Sequence, residues 1–193
     1  MAASTFRSPA ASTPERLDRV LSLALDRRRQ PAMHLPKRLN GLFRELGKDS
    51  PSNNPDTIED LIWALWISHP DPDAEFAMSR ACEAMAAGAP DLAAPMLDRL
   101  VAAHPTWPEA WNKRAILRFI GRDYAGCLAD IAHALELEPR HFGAISAFAQ
   151  LCLKIGRPIE ARAALAVAIE INPHLRGVRE LMNQIRTPRG AMH

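Results

Sequence analysis

Three prolines, Pro105, Pro139 and Pro173, stand 34 residues apart, and this period constrains the chain more than any single motif does. Counting back from each proline gives three units, 74–107, 108–141 and 142–175. Position eight of every unit is alanine: Ala81, Ala115 and Ala149. Position twenty is small (Ala93, Cys127, Ala161), and position twenty-four is a large aliphatic (Leu97, Ile131, Leu165). Position twenty-seven is Leu100, Ala134 and Ala168, and a glycine falls near the middle of each unit: Gly88, Gly121 and Gly156.

Each recurrence has a physical reason. Small residues at positions eight and twenty let two antiparallel helices approach closely, while the larger side chains fill the remaining volume. The glycine breaks the first helix. Pro90, Asp123 or Pro158 then opens the second, and proline is well placed at a helix start because its missing amide has no partner there anyway. The last proline ends the unit, since it cannot donate an amide and restricts the residue before it. A single hairpin of this kind cannot bury its apolar face alone, whereas three stacked hairpins bury a continuous core. The expected fold is therefore all-α, a right-handed α-solenoid of three helix-turn-helix units. An aromatic share of 6%, with alanine and leucine dominating the second half, suits close helix packing better than a β-sandwich.

The middle unit carries a resemblance. Trp111 at position four, Ala115 at eight, Tyr124 at seventeen, Ala134 at twenty-seven and the closing run Leu135–Glu136–Leu137–Glu138–Pro139 resemble the tetratricopeptide repeat (TPR) family. The unit departs from the family pattern at position seven, where Arg114 replaces leucine, and its glycine comes one place early. The first unit has Ala77 and Pro90 where the tryptophan and tyrosine would stand. The run Glu138–Pro139–Arg140–His141–Phe142–Gly143 is similar to small bacterial proteins of the family, many of them exported. The resemblance implies the fold strongly and the function hardly at all, because such repeats are scaffolds for many partners.

The flanks read as helical additions. Residues 1–13 are rich in Ala, Ser and Thr and read as disordered, and 14–73 as N-terminal helices that include a degenerate hairpin. Within that stretch helices are expected over 14–29, ending in Arg27–Arg28–Arg29 at the negative end of its dipole, over 36–46, and over 57–68. For the last, Asp56 and Glu59 have capping-box spacing. The turn between the second and third is stretched through residues 48–55. Residues 176–193 read as a capping helix and tail: a helix over 175–186 closes the last apolar surface, and Thr187 to His193 fray.

Chemistry is harder to find. The chain has no phosphate-cradling glycine loop, no HExxH and no nucleophile elbow, and it is expected not to be an enzyme. Cys82, Cys127 and Cys152 lack CxxC spacing and lie in apolar helical patterns, so buried, inert thiols are expected, with neither a disulfide framework nor a zinc site. His69, His104, His133 and His141 offer no spaced ligand set, so no metal and no cofactor is expected. Trp63, Trp66, Trp107 and Trp111 stand at packing positions. A net charge of +2 is too small to suggest a nucleic-acid partner, and no stretch approaches the roughly 20 apolar residues of a membrane span.

The family resemblance implies that positions two, five, nine, twelve and thirteen of each first helix line an inner groove. The candidate peptide-binding residues are Met78, Cys82 and Met85 in the first unit, Asn112, Ile116 and Phe119 in the second, and Ser146, Gln150 and Leu153 in the third. Met78, Cys82, Gly143 and Ala147 stand where a clamp for a C-terminal carboxylate needs polar or basic groups, which disfavours a chaperone-tail receptor. Methionine and large aliphatic groups suit an amphipathic helix or apolar peptide instead. The sequence thus points to a non-enzymatic protein–protein adaptor binding an unidentified protein or peptide. The competing reading is a self-associating assembly factor within a larger, envelope-associated complex, which makes homo-oligomerisation an open expectation. An N-terminal helix filling the groove is a third outcome. The short apolar run Val20 to Leu25 follows Glu15 and Asp18 and makes a poor export signal, so the residues favour the cytoplasm while the resemblance points to the periplasm.

Overall fold

The computed structural model describes residues 12–48 and 54–185, and among the described residues ten α-helices follow one another without a strand. The readings for the extreme N-terminus, for most of the stretched turn and for the C-terminal tail fall outside those residues. Six central helices form three antiparallel hairpins: α4 (Pro72–Ala86) with α5 (Pro90–Ala103), α6 (Pro108–Ile120) with α7 (Tyr124–Leu137), and α8 (Phe142–Lys154) with α9 (Pro158–Ile171). Proline opens α4, α5, α6 and α9, and side chains cap α4 and α7: Asp71 accepts from the amides of Asp73 and Ala74, and Asp123 from that of Gly126. Ala81, Ala93, Ala115, Cys127, Ala149 and Ala161 are all fully buried, as close helix approach at these positions requires. The chain is an all-α solenoid.

The turn inside each hairpin corrects one detail of the alignment. The left-handed position is held by Gly88 (φ +68°), Arg122 (φ +63°) and Gly156 (φ +76°), which are 34 residues apart. Gly121 sits before it in ordinary helical geometry, with φ −74°. The middle unit therefore places an arginine where its neighbours place glycine.

Arg114, the residue that departs from the family's leucine, is explained by its contacts. Its guanidinium grips Asp130 of the partner helix through Nε to Oδ2 and Nη2 to Oδ1, both at 2.8 Å, and reaches Asp98 of α5 through Nη1 at 2.9 Å. Burial opposes the charge on Arg114, but the hydrogen bonds and charges of Asp130 and Asp98 outweigh it and raise its pKa further. A planar guanidinium suits this bidentate grip.

The N-terminal helices wrap around the stack instead of extending it. Helix α1 (Thr13–Leu25) starts from a capping box of Ser12 and Glu15 and buries Leu17, Val20 and Ala24 against α7 and α9, the second helices of repeats two and three. It ends before the arginine triplet, which does not serve its dipole: Arg27 pairs with Glu170, and Arg29 donates to the carbonyl of Glu136 at 3.0 Å. The Ala32 amide then donates to the carbonyl of Leu137 at 2.8 Å, leading the chain along the loop edge. There α2 (Arg38–Leu46) and α3 (Pro55–Ile67) form a hairpin. Asn54, not Asp56, caps α3, accepting from the amides of Asp56 and Thr57, because Pro55 takes the first helical position. At the other end α10 (Val178–Gln184) packs on α9 and is shorter than expected, since Gly177 turns left-handed (φ +72°) immediately before it.

The apolar interior falls into three clusters. The largest joins repeats two and three with α1 and α10, a second joins repeat one to Ala110 and Leu117 of α6, and a third joins the α2–α3 hairpin to Phe142.

Candidate binding face

The first helices α4, α6 and α8 adjoin one another and form one layer of the stack, while α1 covers the layer of second helices. The inner face of α4, α6 and α8 is therefore the one that α1 leaves uncovered. Its two ends differ sharply.

At the end where the first helices begin, α3 lies across the stack. Trp66 stacks flat on the His141 ring with centroids 4.0 Å apart, and Trp63 meets Phe142 edge-on at 5.3 Å. The Trp107 indole donates to the carbonyl of Trp66 at 2.7 Å, and Asn172 Nδ2 donates to Glu59 Oε2 at 2.8 Å. Arg176 pairs with Asp56. The run Glu138 to Gly143 is the socket for this hairpin. Arg140 is held by both oxygens of the buried Glu138, reaches Asn40 Oδ1 at 2.8 Å, and lies 4.3 Å above the Phe43 ring. Gly143 admits Trp63 because a Cβ there would lie 2.5 Å from Cη2 of the indole.

Beneath α3 lies a polar cluster that the sequence did not announce. Glu109 and His141 are completely buried. The Ala144 amide donates to His141 Nδ1 at 3.2 Å, capping α8, so the ring proton sits on Nε2 and is donated to Glu109 Oε2 at 2.9 Å. Asn112 Nδ2 donates to the same oxygen at 2.9 Å, and Lys113 Nζ lies 3.0 Å from Oε1. Burial alone would push the Glu109 pKa up. The hydrogen bond from His141 and the adjacent positive charge outweigh it and hold the carboxyl below its ordinary value. Lys113, drawn down by burial, is raised overall by Glu109 and lies 5.6 Å over the Trp63 ring. The one available hint was spacing: Glu109 at position two and His141 at the last position of the same unit become neighbours when the next hairpin stacks.

At the other end of the face, where the first helices finish, the apolar groups are only partly covered by the described chain. Ile116, Phe119, Met85 and Leu153 are half-buried, and Ile120 is 61% exposed. The predicted site residues therefore divide. Gln150 is exposed, and Met85, Ile116, Phe119, Leu153, Cys82 and Ser146 are half-buried and keep some surface. Met78 and Asn112 are buried and do not: Met78 packs within the repeat-one core, and Asn112 belongs to the Glu109 cluster. Periodicity alone could not separate them, because inner-face positions near the start of a helix are also those that α3 covers.

Cys127 and Cys152 are buried, and burial pushes their thiols up to about 12, which keeps them protonated. Cys82 is half-buried and free, with its thiol also raised by burial. A cavity of about 520 Å³ lies between His34, Leu35, Trp66, His69 and Trp107, with the His34 ring 2.8 Å from the carbonyl of Thr106. Burial and the neighbouring His104 lower the pKa of His69. Among the described residues no cluster of His, Cys, Asp and Glu could hold a metal ion, and no helix is long and apolar enough to cross a membrane.

No family profile matches the sequence, and no solved structure matches the chain. A TPR repeat-containing protein of Rhizobium etli is 30% identical over 149 residues, which span 77% of this chain and 73% of that protein. With hairpins recurring every 34 residues and their small positions buried at the helix contacts, the chain belongs to the tetratricopeptide repeat family.

Proposed function

We propose that this repeat protein binds an amphipathic helix or apolar peptide of a partner protein on the open end of its inner face, without catalysis. The supporting observation is the asymmetry of that face. One end is filled by α3, with Trp63 seated on Gly143, whereas the half-buried Ile116, Phe119 and Leu153 and the exposed Ile120 keep surface at the other. Contiguous apolar groups in a folded protein's surface are the mark of an interaction site, and helices dock in such grooves through residues spaced by three and four. Candidate partners are read from a library of short helical peptides joined through their C-termini to their messenger RNA and selected on the full chain. Selection should enrich peptides with one apolar stripe. The double variant Ile116→Ser, Leu153→Ser should lose their binding while keeping its helical circular dichroism. Enriched peptides that bind the double variant at full strength would remove the site from this face.

A further inference from the structure

We propose, resting on the groove reading above, that the partner helix carries Asp or Glu side chains at one end, received by Arg122 and Lys154 at the turn edge of repeats two and three. The first observation is conformational. The left-handed position of the hairpin turn is glycine in repeats one and three, at Gly88 and Gly156, and arginine in repeat two at φ +63°. Such a backbone is unfavourable for a residue with a Cβ and free of penalty for glycine, so Arg122 holds a conformation its two counterparts adopt without strain.

The second observation is that no side-chain contact among the described residues compensates. Arg122 is exposed, and neither it nor the exposed Lys154 forms an ion pair or side-chain hydrogen bond among the described residues. The acids nearest along the chain are engaged. Asp123 accepts from the Gly126 amide at 2.9 Å and lies 3.7 Å from Arg118, and Glu160 holds Arg157 at 2.8 Å. Lys154 stands in the last turn of α8, where the helix dipole favours a cation, but Arg122 lies beyond the end of α6 and has no such role. At the matching positions of repeat one stand Gly88 and Ala86, neither of them charged, which confines the basic edge to repeats two and three.

The third is adjacency. Arg122 stands two residues after Ile120, which is 61% exposed, and Lys154 directly follows Leu153. An apolar floor that ends in two uncompensated cations complements a helix whose apolar stripe ends in carboxylates, and charge complementarity at a rim sets orientation and register.

The same peptide library tests this, because its peptides present no free C-terminal carboxylate and any acid must come from side chains. The expected result is that enriched peptides concentrate Asp or Glu at one end of the stripe. Arg122→Gly should weaken individual peptides about two- to fivefold, the scale of one exposed ion pair, while raising the chain's own unfolding midpoint. Arg122→Gly with Lys154→Gln should weaken them about tenfold and flatten the dependence of Kd on salt. Binders whose acids are scattered, or whose affinity is unchanged by the double variant, overturn the proposal while the groove reading stands. If no stripe-bearing peptide is enriched, or if Ile116→Ser, Leu153→Ser changes nothing, the groove reading fails and this one with it.

Discussion

A Cβ on Gly143 would lie 2.5 Å from Trp63 Cη2, so two opposing effects meet at one position. Alanine is the better helix former by up to about 1 kcal/mol, whereas overpacking a filled site costs about 1–3 kcal/mol. The second is the larger, so Gly143→Ala should lower stability in urea denaturation; a gain would mean that Trp63 moves aside freely. Glu109 offers a test in pH. Its folded pKa is depressed below the ordinary value of 4.5, so its contribution is fully present above that value and is lost as pH falls through the folded one. Glu109→Gln should therefore destabilise the protein at neutral pH by about 1–3 kcal/mol, because it weakens bonds to a buried His141 and to Lys113. It should also flatten the acid limb of the stability curve below about pH 4.5. An unchanged acid limb would assign the acid sensitivity to other carboxylates.

At the scale of elements, α1 and α3 do different work although both come from the N-terminal stretch. Helix α1 buries Leu17, Val20 and Ala24 on the second-helix layer, opposite the candidate face. Leu17→Ala should destabilise the fold by about 2–5 kcal/mol, as buried leucine truncations do, yet leave peptide affinity per folded molecule unchanged. Affinity lost in proportion with stability would link α1 to the binding face. The surface pairs Arg19–Glu136 and Arg27–Glu170 add little beside that burial, since exposed ion pairs contribute about 0–1 kcal/mol. Helix α3 instead closes one end of the face. The expectation of a groove-filling N-terminal helix is thus answered unevenly: α1 lies elsewhere, and α3 occupies the end where the first helices begin.

The whole molecule is stapled unevenly. Repeats two and three share one apolar cluster with α1 and α10, and α3 reaches both through Trp63, Trp66 and Glu59, whereas repeat one packs in a smaller cluster with Ala110 and Leu117 of α6 and meets α3 through the Trp107 indole. Segments with fewer buried contacts open at lower free energy. Hydrogen exchange should therefore be faster in α4 and α5 than in α6 to α9. Equal protection across the three repeats would show that the stack opens only as a unit. Truncation after Pro139 removes repeat three, the α9 part of the surface under α1, and the His141, Phe142 and Asn172 partners of α3, so it should lose cooperative unfolding and aggregate; a soluble fragment of undiminished stability would contradict the shared core.

The local rules of the hairpin were legible in the sequence. A small residue at a helix contact, a proline at a helix start and a breaker at the turn act within a few residues, so their recurrence every 34 positions marks the stack directly. What the three-dimensional structure decided is everything that depends on residues far apart. The sequence placed Met78 and Asn112 beside Ile116 as equal groove positions. It could not show that α3 would cross the stack and bury a polar cluster around Glu109, because the Trp66–His141 stack joins residues 75 positions apart. It read Gly121 as the turn glycine, while the hydrogen-bonded geometry of the turn put Arg122 in the left-handed place. Periodicity reports which face a residue lies on; only tertiary packing settles whether that face is covered, and by what.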